Sequence, residues 1–261
     1  SPKSLTIFPT PLSFFGKRRK MKVWAHRGFS ALYPENTMLA FEKAAEAGAD
    51  GIETDVHLSK DGEVVVIHDE NLKRTCGIDR MVGDCTLREL TATKASATFG
   101  GSFDVTVPSF RMLCSFIKDH DIMANVELKT GIIYYPGLEE KVAEEVKRWG
   151  IEDKVIFSSF NPLSLVVMKR LLPECPAGFL FMKGMNPRHI SYITKEAGLD
   201  LLHPDFSILD DEMVKEAKEC GLGINAWTIN EETEMDKLIS LGVEGTITNR
   251  PDMCLRKLNR A

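Results

Sequence analysis

The sequence predicts a TIM (β/α)8 barrel with a small insertion after the second strand. Short, β-branched apolar runs alternate with longer amphipathic runs, which favours parallel strands joined by helices. Eight such units within about 240 residues favour a closed barrel. The alternative is a doubly wound open sheet, but no glycine-rich nucleotide-binding pattern follows the first strand. The eight predicted strands start at Val23, Gly51, Ile122, Val155, Gly178, Leu201, Gly223 and Gly245.

Helical segments lie between these strands. One helix is predicted up to Gly48, with Asn36 or Thr37 as its N-terminal cap. Others are predicted over Leu138–Trp149 and Asp210–Cys220. Residues 70–108 lack a clear helical period and carry scattered Gly, Thr and Asp. We therefore expect them to form an insertion on the face of the barrel where the strands end.

The composition is ordinary for a globular protein with a sizeable core. The chain has 261 residues, 43% of them hydrophobic, with 33 basic and 38 acidic side chains and a net charge of −5. It contains no basic stripe, which argues against a nucleic-acid partner but not against a small anionic ligand. The six cysteines form no CxxC pair, so we expect a reducing, cytoplasmic environment.

Residues 1–20 differ from the rest of the chain. Their apolar run is far shorter than the roughly 20 residues that span a bilayer. It also precedes its basic cluster, whereas the charges of a signal peptide come first. We interpret residues 1–20 as a leader or tag without ordered structure, with a weakly membrane-touching tail as the alternative. Residues 21–261 are predicted to form the barrel domain, without stable membrane insertion, as a monomer or a homodimer.

The predicted strand ends carry polar and aromatic side chains. Active sites of barrels lie where the strands end, so these groups should share one mouth. They are His26, Arg27, Glu53, Asp55, Glu127, Lys129 and Trp227.

Three of these side chains are carboxylates. Glu53 and Asp55 are two residues apart on one strand and therefore face the same side. Such a pair repels unless a proton or a cation lies between its members. Solvated surface carboxylates are the alternative, but Glu127 on the next strand favours a metal site. Carboxylates without a nearby cysteine favour Ca²⁺ or Mg²⁺ over Zn²⁺.

A hairpin is predicted to bring a second histidine to the same place. Asp61-Gly62 is a strong signal for a two-residue turn. With this turn, Lys60 pairs with Glu63 and Asp55 lies opposite His68. A lone histidine is more often structural, yet His26 and His68 reach the carboxylates by separate routes. One could then act as base and the other as acid near neutral pH.

Arg27 and Lys129 add positive charge to this group. Their alternative role is to balance the carboxylates, but a guanidinium fork and an ammonium also suit phosphate oxygens. A cation, two basic side chains and two histidines together indicate phosphoryl chemistry.

Short motifs occur in a fixed order along the chain: His26-Arg27-Gly28, Pro34-Glu35-Asn36-Thr37, Gly48-Ala49-Asp50-Gly51-Ile52-Glu53-Thr54-Asp55-Val56, Asp61-Gly62, Val65-Val66-Ile67-His68-Asp69, Arg74-Thr75, Glu127-Leu128-Lys129, Ser158-Ser159-Phe160, His203-Pro204 and Trp227-Thr228. Together they resemble the glycerophosphodiester phosphodiesterase family from residue 22 to about residue 258.

This resemblance implies a TIM barrel that hydrolyses glycerophosphodiesters to sn-glycerol 3-phosphate and an alcohol. The resemblance also implies roles for individual residues. Glu53, Asp55 and Glu127 would hold a divalent cation, His26 and His68 would catalyse the reaction, and Arg27 and Lys129 would contact the phosphate. It also implies an apolar wall near the glycerol, formed by Phe206 and Trp227.

The sequence departs from the family pattern at three places. Arg74-Thr75-Cys76-Gly77 is shorter than the usual pattern in the insertion. Asn249 stands where Asp is frequent, which would remove structural hydrogen bonds there without implying inactivity. His57 stands where Gln or Arg is frequent, and we expect a histidine at the rim of the site without a role.

Two other functions stay open. A lysophospholipase D would use the same catalytic groups and an apolar groove lined by Tyr134, Tyr135, Phe160 and Phe206. The other hypothesis is a non-catalytic phosphate-binding barrel, but such a protein would not need a paired acid and base.

Overall fold

A computed structural model describes residues 20–185 and 189–260, so the leader predicted for residues 1–20 lies outside the described ranges except for Lys20. The strands are β1 (Lys22–His26), β2 (Gly51–Leu58), β3 (Val64–Val66), β4 (Met123–Leu128), β5 (Val155–Ser159), β6 (Ala177–Phe181), β7 (Leu201–Pro204), β8 (Gly223–Ala226) and β9 (Gly245–Thr248). The helices are α1 (Met38–Glu46), α2 (Lys73–Cys76), α3 (Leu87–Ala92), α4 (Phe110–Asp119), α5 (Leu138–Trp149), α6 (Pro162–Leu171), α7 (Ile190–Glu196), α8 (Asp211–Cys220), α9 (Glu232–Leu241) and α10 (Pro251–Lys257).

Eight parallel strands close into a barrel, which confirms the predicted fold. The order is β1-β9-β8-β7-β6-β5-β4-β2, and β1 pairs with β2 to close the ring. The predicted strand starts agree with the observed ones to within one residue. Helices follow the barrel strands and cover the outside, where the main hydrophobic core lies between helices and strands. This arrangement places the carboxyl ends of all eight strands at one face.

The short strand β3 pairs antiparallel with β2, but not in the predicted register. His57 pairs with Val65 and Leu58 with Val64, so Asp55 lies opposite Ile67 instead of His68. The turn contains three residues, because the Ser59 backbone N–H already pairs with the Glu63 carbonyl. Gly62 has φ +75°, the conformation that such a three-residue turn requires. The Ser59 hydroxyl accepts from the Glu63 N–H and donates to Asp61, which favours this longer turn.

The insertion has a small hydrophobic core of its own, beside that of the barrel. It contains α2 and α3, and α3 begins with a capping box between Thr86 and Glu89. The buried residues of this core come from β3, from the residue after it and from the insertion. They are Val65, Ile67, Leu72, Val82, Cys85, Leu90, Ala95 and Val107. The insertion is thus fixed to the hairpin that leads to His68.

Two further observations concern the described residues as a group. No helix within 20–185 and 189–260 has the length and apolar character needed to cross a bilayer. All six cysteines lie in these ranges and none is in a disulfide. The predictions of a cytoplasmic location and of a monomer or homodimer stay predictions.

Candidate active site

The three predicted carboxylates come together at the mouth of the barrel. The strand register places Asp55 beside Glu127, and Glu53 beside His26. One oxygen of each carboxylate lies within 4.8 Å of an oxygen of the other two. All three residues are buried. Same-face spacing on β2 and parallel pairing with β4 therefore produce the cluster that the sequence predicts.

Burial and mutual repulsion perturb the protonation of this cluster. Burial, followed by the charges of Asp55 and Glu127, raises the pKa of Glu53 well above its ordinary value. Burial and Asp55 likewise raise the pKa of Glu127 to about 7. Burial would also raise the pKa of Asp55, but the charges of nearby basic groups lower it below its ordinary range. The cluster thus holds one firmly ionised carboxylate between two that resist ionisation.

The donor atoms of the cluster suit a hard divalent cation. All are carboxylate oxygens, the ligands that Ca²⁺ and Mg²⁺ prefer. Asp55 Oδ1 is buried and has no hydrogen-bond partner among the described residues. An orphaned buried carboxylate oxygen is costly, and a cation would satisfy it. The residues therefore fit the divalent ion that the sequence predicts.

The chain turns sharply after β1 to place Arg27 above the carboxylates. Arg27 has φ +56°, a conformation rare for a residue with a side chain, and its backbone N–H donates to Glu53 Oε2 at 3.0 Å. Gly28 follows at φ +81°, where a Cβ would come within 2.6 Å of the Ala40 backbone. Only glycine fits there, which explains the His-Arg-Gly motif locally.

Both basic side chains face the carboxylate cluster. Arg27 Nε lies 3.6 Å from Asp55 Oδ2. Lys129 Nζ lies 3.0 Å from Glu127 Oε1 and 3.7 Å from Asp55 Oδ1. Although burial opposes ionisation, Asp55 and other nearby carboxylates raise the pKa of both basic groups. Two permanent positive charges thus stand at the mouth, close to where an anionic substrate would bind.

His26 is oriented by a residue from the far end of the chain. Its Nδ1 lies 2.6 Å from Asn249 Oδ1, which also accepts from the Ser30 hydroxyl at 3.0 Å. An amide oxygen only accepts, so Nδ1 carries the proton and Nε2, 3.8 Å from Glu53 Oε2, has a free lone pair. Burial, followed by the charge of Arg27, lowers the pKa of His26 to about 4. Asn249 therefore makes hydrogen bonds at the position where we expected, from its departure from the family pattern, that they would be lost.

His68 reaches the same mouth despite the changed hairpin register. It lies beyond the end of β3, where strand alternation no longer fixes its direction. Its Nε2 is 3.2 Å from Lys129 Nζ, and its Nδ1 is 2.6 Å from Asp69 Oδ1. The Asp69 carboxylate therefore accepts a hydrogen bond from the Nδ1 proton, and Nε2 faces Lys129.

Three charged residues near the site were not predicted from sequence to have a role. Arg74 in α2 donates to both Asp69 and Glu35. Glu35 in turn accepts from Arg27 Nη1 at 2.9 Å. All three stand in motifs that the sequence shows, but only the folded chain brings them into one network. Arg74 belongs to the insertion, which is thereby linked to Asp69 and Glu35 beside the candidate site.

His57 is buried and does not lie at the rim, contrary to expectation. Its Nδ1 lies 3.0 Å from the Tyr135 hydroxyl and its Nε2 lies 2.9 Å from the His68 carbonyl oxygen. Burial lowers its pKa, so the ring is kept neutral. A neutral ring donates from one nitrogen only, and the carbonyl requires that donor to be Nε2. His57 thus ties the backbone of His68 to the loop after β4.

The candidate catalytic groups open into a cavity of about 410 Å³. Its lining also contains apolar residues, among them Trp227, which packs edge-to-face on Phe160 with ring centroids 5.7 Å apart. Leu180, Met182 and Ile132 continue this wall. The structure thus brings Trp227 to the site, as the sequence predicts.

Phe206, the other predicted wall residue, does not line this cavity. It packs against the main core, with Lys237 Nζ 5.0 Å from its ring centre. The reason is that the chain turns directly after β7, where the Asp205 side chain caps a short helical turn that contains Phe206. Of the four residues predicted to line an acyl groove, only Phe160 faces the cavity.

Comparison with known proteins agrees with this geometry. The model of the glycerophosphoryl diester phosphodiesterase family matches residues 26–253. The chain belongs to this family. It is 38% identical to a glycerophosphodiester phosphodiesterase of Caldanaerobacter subterraneus over 92% of this chain and 99% of the relative. A Bacillus altitudinis glycerophosphodiester phosphodiesterase is 37% identical over 90% and 97% of the two chains.

Solved structures are similar throughout the barrel. A phosphodiesterase of Oleispira antarctica, solved with the product sn-glycerol-3-phosphate, superposes with a TM-score of 0.80 at 28% identity, covering 91% of this chain and 96% of that one. A glycerophosphodiester phosphodiesterase of Thermotoga maritima gives a TM-score of 0.72 at 29% identity, covering 91% and 98%. These findings confirm the family that the motifs indicate.

Proposed function

We propose that the protein hydrolyses glycerophosphodiesters to sn-glycerol 3-phosphate and an alcohol, with a divalent cation and two histidines. The observation that carries this proposal is the buried cluster of Glu53, Asp55 and Glu127 beside two histidines in one cavity. Family membership supports the reaction, as does the product bound to the Oleispira relative.

Glu53, Asp55 and Glu127 would hold the cation, and both Ca²⁺ and Mg²⁺ fit their oxygen ligands. When bound, the cation neutralises negative charge on the phosphate and lowers the pKa of a hydroxyl beside it. Arg27 and Lys129 would bind the remaining phosphate oxygens. Their charges are fixed in place before substrate arrives, so little reorganisation is needed as charge develops in the transition state.

The two histidines have different surroundings, which supports different roles. His26 is neutral near pH 7 with a lone pair on Nε2, as a general base requires. His68 has Asp69 behind its Nδ1, an arrangement that orients the ring with Nε2 toward the mouth. We therefore assign the first proton abstraction to His26 and protonation of the departing alcohol to His68.

The first nucleophile in this scheme is the 2-hydroxyl of the glycerol. His26 Nε2 takes its proton while the oxygen attacks phosphorus, and the bond to the alcohol breaks as His68 donates a proton to that oxygen. The product is a five-membered cyclic phosphate. Water then opens the ring, with His68 accepting a proton and His26 returning one. An adjacent hydroxyl gains from proximity what free water must obtain from positioning.

A lysophospholipase D is the second candidate, and the apolar wall favours it. Ile132 and Met182 line the cavity although their side chains are 81% and 42% exposed. They could contact one acyl chain of a lysophospholipid next to the same phosphate-binding groups. Comparison of turnover on glycerophosphocholine and on lysophosphatidylcholine separates the two candidates. A strong preference for the lyso-lipid would replace the first proposal by the second.

A further inference from the structure

One arginine of the insertion bridges two carboxylates next to the site. Arg74 Nε and Nη2 donate to Asp69 at 2.7 and 3.0 Å, and Nη1 and Nη2 donate to Glu35 at 2.6 and 2.8 Å. The guanidinium thus makes two paired contacts at once. This is the recognition that its planar fork permits and that a lysine ammonium cannot reproduce.

Each carboxylate also holds a group of the proposed active site. Asp69 Oδ1 contacts both Arg74 and His68 Nδ1, the latter at 2.6 Å. Glu35 Oε1 accepts from both Arg74 and Arg27 Nη1, the latter at 2.9 Å. His68 and Arg27 come from separate loops of the chain. Through Asp69 and Glu35 they share one support, the Arg74 guanidinium.

Fold stability alone does not explain why this bridge stands at the site. The Arg74 side chain is 41% exposed, which limits its contribution to stability, although paired contacts in a network contribute more than a single exposed ion pair. Arg74 does not line the cavity, so direct contact with substrate is no better an explanation. The remaining explanation is that Arg74 orients the two carboxylates. A carboxylate held at both oxygens cannot rotate away from the histidine or arginine that it contacts.

We infer that Arg74 is a positioning residue, which fixes His68 through Asp69 and Arg27 through Glu35. The inference rests on the proposed phosphodiesterase function. It makes the insertion a working part of the active site, because α2 supplies the only residue of the described chain that contacts both carboxylates with paired hydrogen bonds.

The test compares Arg74→Gln and Arg74→Lys with Arg80→Gln. Arg80 is a matched control, because it lies in the same insertion, is 46% exposed and pairs with Glu89 at 3.3 Å away from the site. We expect both Arg74 variants to lower kcat by about 10–100-fold, the usual cost of a lost supporting contact. We expect KM to change less, and melting temperature no more than in Arg80→Gln.

A double-mutant cycle tests the route of the effect. If Arg74 acts partly through Asp69, Arg74→Gln costs less in the Asp69→Asn background than in wild type, because only the route through Glu35 remains, so the two losses fall short of additivity. The same holds for the cycle with Glu35→Gln. Full additivity in both cycles, or a kcat for Arg74→Gln equal to that of Arg80→Gln, would overturn the inference alone. A wild-type protein inactive on glycerophosphocholine would overturn the proposed function and the inference with it.

Discussion

Replacing Glu127 by Gln should stabilise the cation-free protein at alkaline pH while weakening its cation binding. The pKa of Glu127 is about 7 in the folded protein, against an ordinary value of 4.5. At about 1.4 kcal/mol per pKa unit, ionising this carboxyl in the fold costs roughly 3 kcal/mol more than in the unfolded chain. Because the folded pKa is raised, the cost is absent below pH 4.5 and complete above pH 7.

Glutamine keeps the shape and still accepts from Lys129, so most of this cost should be recovered. We expect cation-free Glu127→Gln to exceed wild type in unfolding free energy by about 2 kcal/mol at pH 8, which is roughly 4–8 °C in Tm for a domain of this size. The advantage should vanish at pH 5. Saturating Ca²⁺ or Mg²⁺ should reverse the order, because the ion stabilises mainly the wild-type protein.

The assay is thermal unfolding in chelator and in excess cation at both pH values. Glu144→Gln is the matched control, since this glutamate on α5 is 64% exposed and lies outside the cluster. A Glu127→Gln protein that melts below wild type in chelator at pH 8 would contradict this prediction. So would a cation that raises the Tm of both proteins equally.

Further predictions concern catalysis and the cation. His26→Ala and His68→Ala should each lower turnover by about 10²–10⁴-fold with the fold intact, and near-wild-type turnover would remove that histidine from the mechanism. Cation affinity should rise between pH 5.5 and 8, because the ion competes with protons on Glu53 and Glu127, and calorimetry that finds equal affinity at the two pH values would contradict this. A glycerophosphocholine analogue without the 2-hydroxyl should be hydrolysed far more slowly than the parent; equal rates would replace the cyclic route by direct attack of water.

Local patterns predict the barrel and its carboxylate cluster well. Alternation of side chains places Glu53 and Asp55 on one face, and parallel pairing must bring the next strand, with Glu127, to their side. Both inferences depend only on backbone geometry, which is the same in every barrel. The capping residue Thr37 and the strand starts follow equally local rules.

The sequence did not predict the hairpin register, which depends on turn length, or the ion pairs between loops that are distant in sequence. One extra residue in the turn after Ser59 shifts the hairpin register, yet His68 lies past the strand and still reaches the mouth. Arg74 and Asp69 stand close in sequence, but Glu35, the other carboxylate that Arg74 binds, comes from another loop. Such contacts depend on where loops pack, and no period in the sequence encodes them.

The expectation for His57 was wrong for a related reason. Strand alternation places it on the side of Asp55 but does not say how much chain covers it. The loop after β4 brings Tyr135 over it, and the result is a buried histidine hydrogen-bonded on both nitrogens.

Product analysis on glycerophosphocholine, with and without chelator, tests the central claim most directly. We expect release of sn-glycerol 3-phosphate and choline, loss of this activity in chelator, and recovery when Ca²⁺ or Mg²⁺ is restored. Hydrolysis that continues unchanged in chelator would contradict the role of Glu53, Asp55 and Glu127 as cation ligands. Failure to release sn-glycerol 3-phosphate from any glycerophosphodiester with cation present would contradict the proposed reaction itself.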